Sequence, residues 1–171
     1  MDRGTSARDF RYMQAALHQA DRAAAKGEVP VGAVVVAGGK IVGRGHNLRE
    51  SRNDPTAHAE LIALRQAARR LKSWRLSEAT IYVSCEPCPM CAGAIVLARI
   101  RRLVYGCADP KAGAVRTLYR LLEDKRLNHR VEVVGGVLEP ECQERLSAFF
   151  RRLRNNNRRR SSARARRKFQ A

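Results

Sequence analysis

The sequence predicts an α/β domain in which a mixed five-stranded sheet is layered with helices. A chain of 171 residues has the size of one compact domain, and its hydrophobic fraction of 44% is typical of a globular protein with a buried core. Helical and strand-like apolar patterns also alternate along the chain, which is typical of the α/β class. No internal repeat interrupts this alternation.

The N-terminal half is predicted to form a helix, a hairpin and a second helix. Apolar residues at three- and four-residue spacing predict the first helix over residues 7–26. β-branched residues predict a strand over 29–36, and the turn Gly38-Gly39 pairs it with a strand over 41–46. The apolar stripe returns in residues 57–71, which are predicted to form the second helix.

The C-terminal half is predicted to alternate strands with helices. A buried-strand pattern over 79–84 leads into an apolar helix of small residues over 90–98. Short strands are expected over 102–106 and 130–135, with a further helix between them, and a closing helix is expected over 139–153. Because helices separate these later strands, we expect the strands to be parallel.

The charge of the chain indicates a polyanionic partner. Lys and Arg number 34 against 16 Asp and Glu, which gives a formal net charge of +18. Residues 151–171 hold ten basic and no acidic residues, so the remainder, with 24 basic and 16 acidic residues, still carries +8. Such a field attracts polyanions, although it does not by itself identify which one. Aromatic residues make up only 5%, which argues against a single-strand binder that relies on base stacking.

The last segment, residues 155–171, differs from the preceding part of the chain. It begins with three asparagines and has no apolar periodicity, which predicts an Arg-rich flexible tail after a domain formed by residues 1–154. Two interpretations of this tail stay open. It is either a solvated, non-specific extension or a segment that takes part in RNA capture.

The cysteines indicate a reducing compartment. Their number is five, so they cannot all pair within one chain, and the N-terminus has no apolar secretory segment. No apolar stretch approaches the length that a membrane span needs. We therefore expect a cytoplasmic protein, in which clustered cysteines indicate metal binding or catalysis rather than disulfides.

Two short segments carry residues with metal-binding and acid–base chemistry. Cys88 and Cys91 are three residues apart at a predicted helix entry, so both thiols can bind one ion, and Pro89 suits the first helical turn. His58 would supply a third ligand from another helix start. Three protein ligands and one open position are typical of catalytic zinc, which lowers the pKa of bound water from 15.7 to roughly 7.

Glu60 would move protons in this site rather than bind the metal. A regular helix would point His58 and Glu60 in nearly opposite directions, because the two residues are two positions apart. We therefore expect this segment to lie at an irregular first turn. A lone histidine is more often structural and a lone glutamate is usually a solvated charge. The catalytic interpretation depends on the two segments occurring together.

The cysteines and histidines also allow interpretations other than a catalytic zinc site. A C-x-x-C pair can be redox-active or half of a structural zinc site, and with Cys85 the run reads C-x-x-C-x-x-C, as in some iron–sulfur proteins. The ferredoxin pattern needs a fourth cysteine where this chain has Ile95, so we expect Cys85 to be an apolar residue that ends a strand beside the site. Four further residues are expected to be packing or structural residues: Cys107, Cys142, His18 and His46.

The two segments resemble the signature of a known superfamily. His58-Ala59-Glu60 followed by Pro87-Cys88-x-x-Cys91 is similar to the motif of the zinc cytidine/adenosine deaminases. Within that superfamily, residues 8–154 resemble the bacterial tRNA-specific adenosine deaminases. The stretches that carry this closer resemblance are Val29 to Ala33, Asp54 to Glu60, Met90 to Ala94, Tyr105-Gly106, Asp109 to Gly113 and Asn128 to Val131.

The resemblance implies a fold, an activity and an assembly. It implies the three-layer cytidine-deaminase-like fold, with one zinc ion per subunit held by His58, Cys88 and Cys91. It also implies a cytoplasmic homodimer that acts on the anticodon loop of tRNA and converts the wobble adenosine of tRNA-Arg(ACG) to inosine. In that reaction a zinc-bound hydroxide attacks C6 of the adenine, while Glu60 acts as the proton shuttle.

The resemblance also implies four substrate-binding positions. Asn47 corresponds to a residue that contacts the flipped nucleotide, and Asp109 corresponds to a residue that touches its sugar. Phe150 and Arg154, on the last predicted helix, fall where neighbouring loop nucleotides are held. The sequence departs from some relatives at Ala108, where they carry a basic residue, and the Arg-rich tail exceeds what a deaminase domain needs.

Two rival functions stay open at this point. A deaminase of a free base or nucleoside, such as guanine or cytosine, would share the zinc site, although a neutral small substrate gains nothing from a basic surface. A non-catalytic, zinc-stabilised RNA-binding module belongs to another class and would need a closed, four-ligand metal site.

Overall fold

A computed structural model describes the backbone of residues 6–168 and the side chains of residues 6–158. Its helices and strands alternate as the apolar patterns predict. In chain order they are α1 (Ala7–Ala25), β1 (Gly32–Ala37), β2 (Lys40–His46), α2 (Arg49–Arg52), α3 (Ala59–Leu71), β3 (Thr80–Cys85), α4 (Pro89–Leu97), β4 (Arg102–Cys107), β5 (Glu132–Val134) and α5 (Glu139–Lys168).

The five strands form one mixed sheet in the order β2-β1-β3-β4-β5. β1 is antiparallel to both β2 and β3, whereas β3, β4 and β5 are mutually parallel. The prediction of a hairpin followed by parallel strands is therefore confirmed. Because β3 and β4 are parallel, their carboxyl ends lie at one edge of the sheet, and the start of β1 lies at the same edge.

Helices cover both faces of the sheet, so the predicted three-layer architecture is confirmed. Alternate residues along each strand point to opposite faces. Val35, Ile81 and Leu103 pack with α3 and α4 in one buried cluster. Val34, Tyr82 and Val104 pack with α1 and α5 in the other. The sheet is buried on both sides, which explains the continuous β-branched runs in the sequence.

Glycines set how closely the sheet approaches its neighbours. Gly38 and Gly39 have φ of 55° and 72°, values that glycine adopts without strain and that match a two-residue hairpin turn. On β2, a Cβ at Gly45 would lie 2.0 Å from the carbonyl oxygen of Ala59, and one at Gly43 would lie 2.2 Å from that of Ala63. Helix α3 therefore packs against β2 with its backbone in direct contact with the strand.

A buried carboxylate network joins α1 to the sheet at the end where β4 begins. Asp9 accepts hydrogen bonds from the Tyr82 hydroxyl at 2.9 Å, the Ser6 amide at 2.9 Å and the Arg102 guanidinium at 2.7 Å. Burial alone would raise the pKa of Asp9, but these hydrogen bonds outweigh it and lower the pKa to about 2. The Ser6 and Asp9 side chains also form a capping box at the start of α1.

The structure corrects two of the predicted connections. No α-helix lies between β4 and β5 among the described residues; that segment, 108–131, is mostly irregular and contains a single 3₁₀ turn, Leu121–Glu123. The short helix α2 was not predicted, because its four residues are too few for an apolar period. The strand predicted over 29–36 begins only at Gly32, so Val29 and Val31 lie outside the ladder.

The prediction that the last helix ends at Leu153 is wrong, because the backbone stays helical beyond that residue. α5 continues to Lys168, because residues 154–168 include strong helix formers, Arg and Ala, and no Gly or Pro. Its side chains over 151–158 are exposed. The division into a domain over 1–154 and a flexible tail over 155–171 stays a prediction, and residues 169–171 lie outside the described residues. None of the described helices combines the length and apolar character of a membrane span.

Candidate active site

The three predicted metal ligands lie together at the carboxyl end of β3. His58 is the N-cap of α3 and Cys88 is the N-cap of α4, both with extended backbone, and Cys91 lies one turn into α4. Nδ1 of His58 is 3.7 Å from Sγ of Cys88 and 3.6 Å from Sγ of Cys91, and all three donor atoms lie within 4.8 Å of one another. Pro89 occupies the first turn of α4, as predicted.

The donor set fits a zinc ion. Two thiols and one imidazole nitrogen are donors that zinc accepts in tetrahedral sites, and the spacing of the donor atoms is that of ligands around one small ion. No further His, Cys, Asp or Glu joins this cluster among the described side chains. The cluster is therefore a candidate metal site with three protein ligands, the number typical of catalytic zinc.

The two thiols differ in their electrostatics. A hydrogen bond from the Cys91 thiol, together with one from His58, lowers the pKa of Cys88 to about 4. Cys88 also caps the amino end of α4, where the helix dipole favours a negative charge. The Cys91 thiol donates this hydrogen bond, so its pKa is raised. Cys88 is thus the more acidic thiol of the pair.

Glu60 is buried beside these ligands. It is the second residue of α3, whereas His58 precedes the helix, so the two side chains are not constrained to opposite faces. This is the irregular first turn that the sequence predicts. Burial raises the pKa of Glu60 to about 7. Its Oε2 atom is one of two buried polar side-chain atoms with no hydrogen-bond partner in the described part of the chain. Glu60 therefore retains an oxygen that can accept or donate a proton.

A turn ahead of α3 sets where the helix begins. The Asp54 carboxylate accepts hydrogen bonds from the amide of Thr56 at 2.8 Å and from its hydroxyl at 2.7 Å. α3 begins at Ala59, two residues later than predicted, and this displacement leaves His58 outside the helix. Asn47 lies next to the turn, and its Oδ1 accepts a hydrogen bond from the Ala59 amide at 3.0 Å. The amide group of Asn47 is therefore held against the metal-binding segment.

A cavity of about 650 Å³ opens at the same edge of the sheet. It contains three of the four predicted substrate-binding residues: Asp109 from the loop after β4, and Phe150 and Arg154 from α5. Cys85, the last residue of β3, also lines this cavity, whereas the three metal ligands, Glu60 and Asn47 are not among its lining residues. The cavity is large enough for a nucleotide and has basic side chains at its rim.

The remaining cysteines and histidines lie outside the metal cluster. Cys85 ends β3 and pairs in register with Cys107 on β4, and both are buried. The interpretation of Cys85 as an apolar strand-end residue is confirmed, and the iron–sulfur alternative finds no support in the geometry. Cys142 is buried against Gly106. His46 is buried at the end of β2, where burial lowers its pKa, and His18 is exposed on α1.

Two buried carboxylates near the site were not assigned a role from the sequence. Glu28 accepts hydrogen bonds from the Glu50 and Ser51 amides, which anchors the segment that contains α2. Glu86, two residues before Cys88, accepts hydrogen bonds from the loop after β4. An acidic residue next to an apolar strand end is the one sequence signal that could have identified Glu86.

Comparison with known proteins agrees with this geometry. The MafB19-like deaminase family matches residues 7–154 of the chain. A tRNA-specific adenosine deaminase of Bacillus subtilis (strain 168) is 53% identical over 146 residues, which covers 85% of this chain and 91% of that protein. A tRNA-specific adenosine deaminase of Haemophilus influenzae is 49% identical over 147 residues and 85% of each chain.

A solved structure leads to the same family. It comes from studies of A-to-I editing by tRNA A34 deaminases at the wobble position of tRNA, and it superposes with a TM-score of 0.77. The two sequences are 44% identical, and the match covers 80% of this chain and 99% of that chain. By sequence identity and coverage, by its cytidine-deaminase-like fold and by its histidine–cysteine–cysteine cluster, this chain belongs to the tRNA-specific adenosine deaminases.

Proposed function

We propose that the protein hydrolyses the exocyclic amine of the wobble adenosine in tRNA-Arg(ACG), forming inosine and ammonia. The observation that carries this proposal is the cluster of His58, Cys88 and Cys91 with the partly unpaired carboxyl group of Glu60 buried beside it. The fit of the donor set supports zinc as the bound ion, one per subunit. When bound there, zinc would supply a strong nucleophile by lowering the pKa of water from 15.7 to roughly 7.

Glu60 would move the protons of the reaction. Hydrolysis at C6 of adenine requires that one water give up both of its protons, one to N1 and one to the leaving amine. A carboxyl group beside the metal site, with one oxygen that no other group engages, can carry out all these transfers in turn. Its burial keeps bulk water from competing for the proton.

Four side chains would hold the nucleotide and its neighbours. Asn47 is fixed through its Oδ1 by the Ala59 amide, which leaves its NH₂ group to donate to the flipped nucleotide. Asp109 lies in the cavity wall and would accept from the ribose. The ring of Phe150 is 41% exposed, so it can stack on a loop base, and Arg154 can pair with a phosphate.

We also propose that the protein acts as a homodimer in the cytosol. Met90 and Leu97 on α4, and Leu118 and Tyr119 before the 3₁₀ turn that packs against α4, are exposed apolar side chains. Such a group of side chains is typical of a protein–protein interface. A cytosolic site agrees with the metal cluster, because the ligands Cys88 and Cys91 need a reducing compartment to stay unpaired.

The substrate class can be tested with matched substrates. The protein is incubated with an anticodon stem-loop of sequence ACG and, in parallel, with free adenosine, cytidine and guanine. We expect inosine, which sequencing reads as G, at the first anticodon position of the stem-loop. We expect no conversion of the free compounds, because the basic surface attracts RNA and gives a neutral small substrate no advantage. Conversion of a free base or nucleoside at a higher rate would favour the small-molecule deaminase instead. Zinc and RNA binding without any conversion would favour the non-catalytic RNA-binding module.

A further inference from the structure

The loop after β4 is held by one buried carboxylate. Residues 109–117 have no regular secondary structure, yet four backbone amides of this segment point to the side chain of Glu86. Glu86 itself is 3% exposed and lies just beyond the end of β3. Glu86 therefore joins the loop to the metal-binding segment.

Both oxygens of Glu86 are engaged. Oε1 accepts hydrogen bonds from the amides of Val115 at 3.0 Å, Arg116 at 2.7 Å and Thr117 at 3.0 Å. Oε2 accepts from the amide of Asp109 at 3.2 Å and from the hydroxyl of Thr117. Five donors on one ionised carboxylate are a strong constraint, because hydrogen bonds to charged acceptors are about twice as strong as neutral ones.

The loop backbone packs closely against Glu86. A Cβ at Gly113 would lie 2.4 Å from Oε2 of Glu86, so the loop backbone lies directly against the carboxylate. A separate hydrogen bond, from the Ala114 amide to the carbonyl oxygen of Pro87 at 2.9 Å, fixes the loop to the residue before Cys88. The loop is therefore aligned with the metal-binding segment by contacts on both sides of Gly113.

The same loop forms a wall of the cavity. Asp109, Pro110 and Lys111 line it, and the Asp109 carboxylate folds back to accept from the amides of Lys111 at 2.9 Å and Ala112 at 3.2 Å. Asp109 also donates its own amide to Glu86. The position of this wall therefore depends on Glu86, although Glu86 is not among the residues that line the cavity.

We propose that Glu86 is a positioning residue for nucleotide binding. Its carboxylate holds residues 109–117 in the binding-ready arrangement before RNA arrives, so that binding does not have to order this loop. The inference rests on the proposed function, because it takes the cavity to be the nucleotide site. Glu86 acts on the nucleotide through Asp109 and its neighbours.

The test is the variant Glu86→Gln in the full-length, zinc-loaded protein. The neutral amide of glutamine keeps one acceptor oxygen. Its NH₂ group would face the two groups that donate to Oε2 in the wild type, the Asp109 amide and the Thr117 hydroxyl. For an ACG stem-loop we expect KM to rise about tenfold, the effect of losing one or two charge-assisted hydrogen bonds, with kcat changed far less. Thr117→Val removes a single donor and should raise KM by a smaller factor, about two- to threefold.

Asp9→Asn is the matched control. Asp9 is also a buried, fully hydrogen-bonded carboxylate, but its partner Arg102 begins β4, whereas the loop leaves the other end of that six-residue strand, roughly 17 Å away. This control should destabilise the fold and leave KM unchanged. If Glu86→Gln lowered kcat with KM unchanged, lost its zinc, or behaved like the control, the positioning role would be overturned.

Amide hydrogen exchange provides a readout that needs no substrate. In Glu86→Gln the amides of Val115, Arg116 and Thr117 should exchange faster than in the wild type, whereas in Asp9→Asn they should not. Unchanged protection in Glu86→Gln would overturn the proposal even if the KM shift were seen. If the wild type did not convert the stem-loop, the proposed function would fail while the exchange experiment still decided whether Glu86 orders the loop.

Discussion

The two ends of the parallel strands β3 and β4 use buried charge in different ways. Where β4 begins, Asp9 and Arg102 form an ion pair whose carboxylate is fully hydrogen-bonded, through Ser6 and Tyr82 as well. Where the strands end, Glu60 is buried with one oxygen that has no partner, next to three potential metal ligands. The Asp9 network holds α1 to the sheet, whereas Glu60 keeps an oxygen free to accept or donate a proton where the reaction is proposed to occur.

The comparison shows how structure and function can be separated in one fold. A buried carboxylate costs free energy unless hydrogen bonds replace the water it loses. At Asp9 these bonds are complete, and the pKa falls. At Glu60 they are incomplete, and the pKa rises. The direction of the shift therefore separates a carboxylate that stabilises the fold from one that can exchange a proton.

The largest effect is expected at Glu60. Glu60→Gln keeps the size of the side chain but removes its ability to transfer protons, so inosine formation should fall by roughly 10²–10⁴-fold. Single-turnover assays on the stem-loop measure this loss, and metal analysis should still find one zinc per chain. Because no native hydrogen bond to Oε2 is lost, the thermal midpoint should not fall. A variant that retained wild-type turnover would show that Glu60 is not the proton shuttle.

Removal of a metal ligand is expected to affect both zinc and folding. Cys91→Ala should weaken zinc binding by at least about 100-fold, and its thermal midpoint should no longer respond to added zinc or to a chelator. Cys85→Ala is the control, because this thiol is buried outside the cluster. It should retain zinc and the response to chelator. Loss of metal in Cys85→Ala would mean that the ligand set is misassigned.

At the opposite end the expected effect is on stability rather than activity. Because the pKa of Asp9 is lowered to about 2 from an ordinary 3.8, its carboxylate stabilises the fold above about pH 4, and this contribution is lost as the pH falls towards 2. Asp9→Asn should therefore lower the free energy of unfolding by about 2 kcal/mol at neutral pH. Denaturation at several pH values should show this difference shrinking in acid. A constant difference would indicate that the ion pair is not its cause.

The smallest effect is expected from the basic extension of α5. Residues 155–171 contain seven Arg and Lys residues, and the 14 helical residues after Arg154 extend about 21 Å beyond the cavity. Deletion of 155–171 should reduce the salt dependence of tRNA binding by roughly 0.7 in the logarithmic slope for each single-strand phosphate that the protein no longer neutralises. The conversion rate of bound stem-loop should stay the same. An unchanged slope would leave this segment without an electrostatic role in binding.

Much of the fold could be predicted because its signals are local. The hairpin follows from Gly38-Gly39 between β-branched runs, and the pairing of Cys88 with Cys91 follows from a spacing of one helical turn. The arrival of His58 at the two thiols is a long-range event. It was predicted from the ligand chemistry of the two segments taken together, and their resemblance to a known signature agrees with it. The beginning of α3 at Ala59 depends on the Asp54 turn, which no apolar pattern records.

What the sequence did not reveal depends on tertiary contacts or on backbone preference. In the connection between β4 and β5, the amides of Val115, Arg116 and Thr117 bond to Glu86 rather than to helix carbonyl groups, and the apolar pattern does not record these contacts. α5 extends to Lys168 although apolar periodicity stops near Leu153, since helix propensity alone suffices there. The periodicity of apolar residues shows which face of a helix or strand is buried. Neither the hydrogen bonds to Glu86 nor the extension of α5 depends on burial of an apolar face.

The contact between Gly45 and α3 makes the geometry of the candidate metal site depend on the distance between two backbones. The carbonyl oxygen that a methyl group at position 45 would strike belongs to Ala59, which lies between His58 and Glu60. A lateral shift of the helix would carry the imidazole and the carboxyl group away together, while the two thiols, which belong to α4, stayed in place. Gly45 thus sets the position of two side chains of the candidate site, although it contributes no functional group itself.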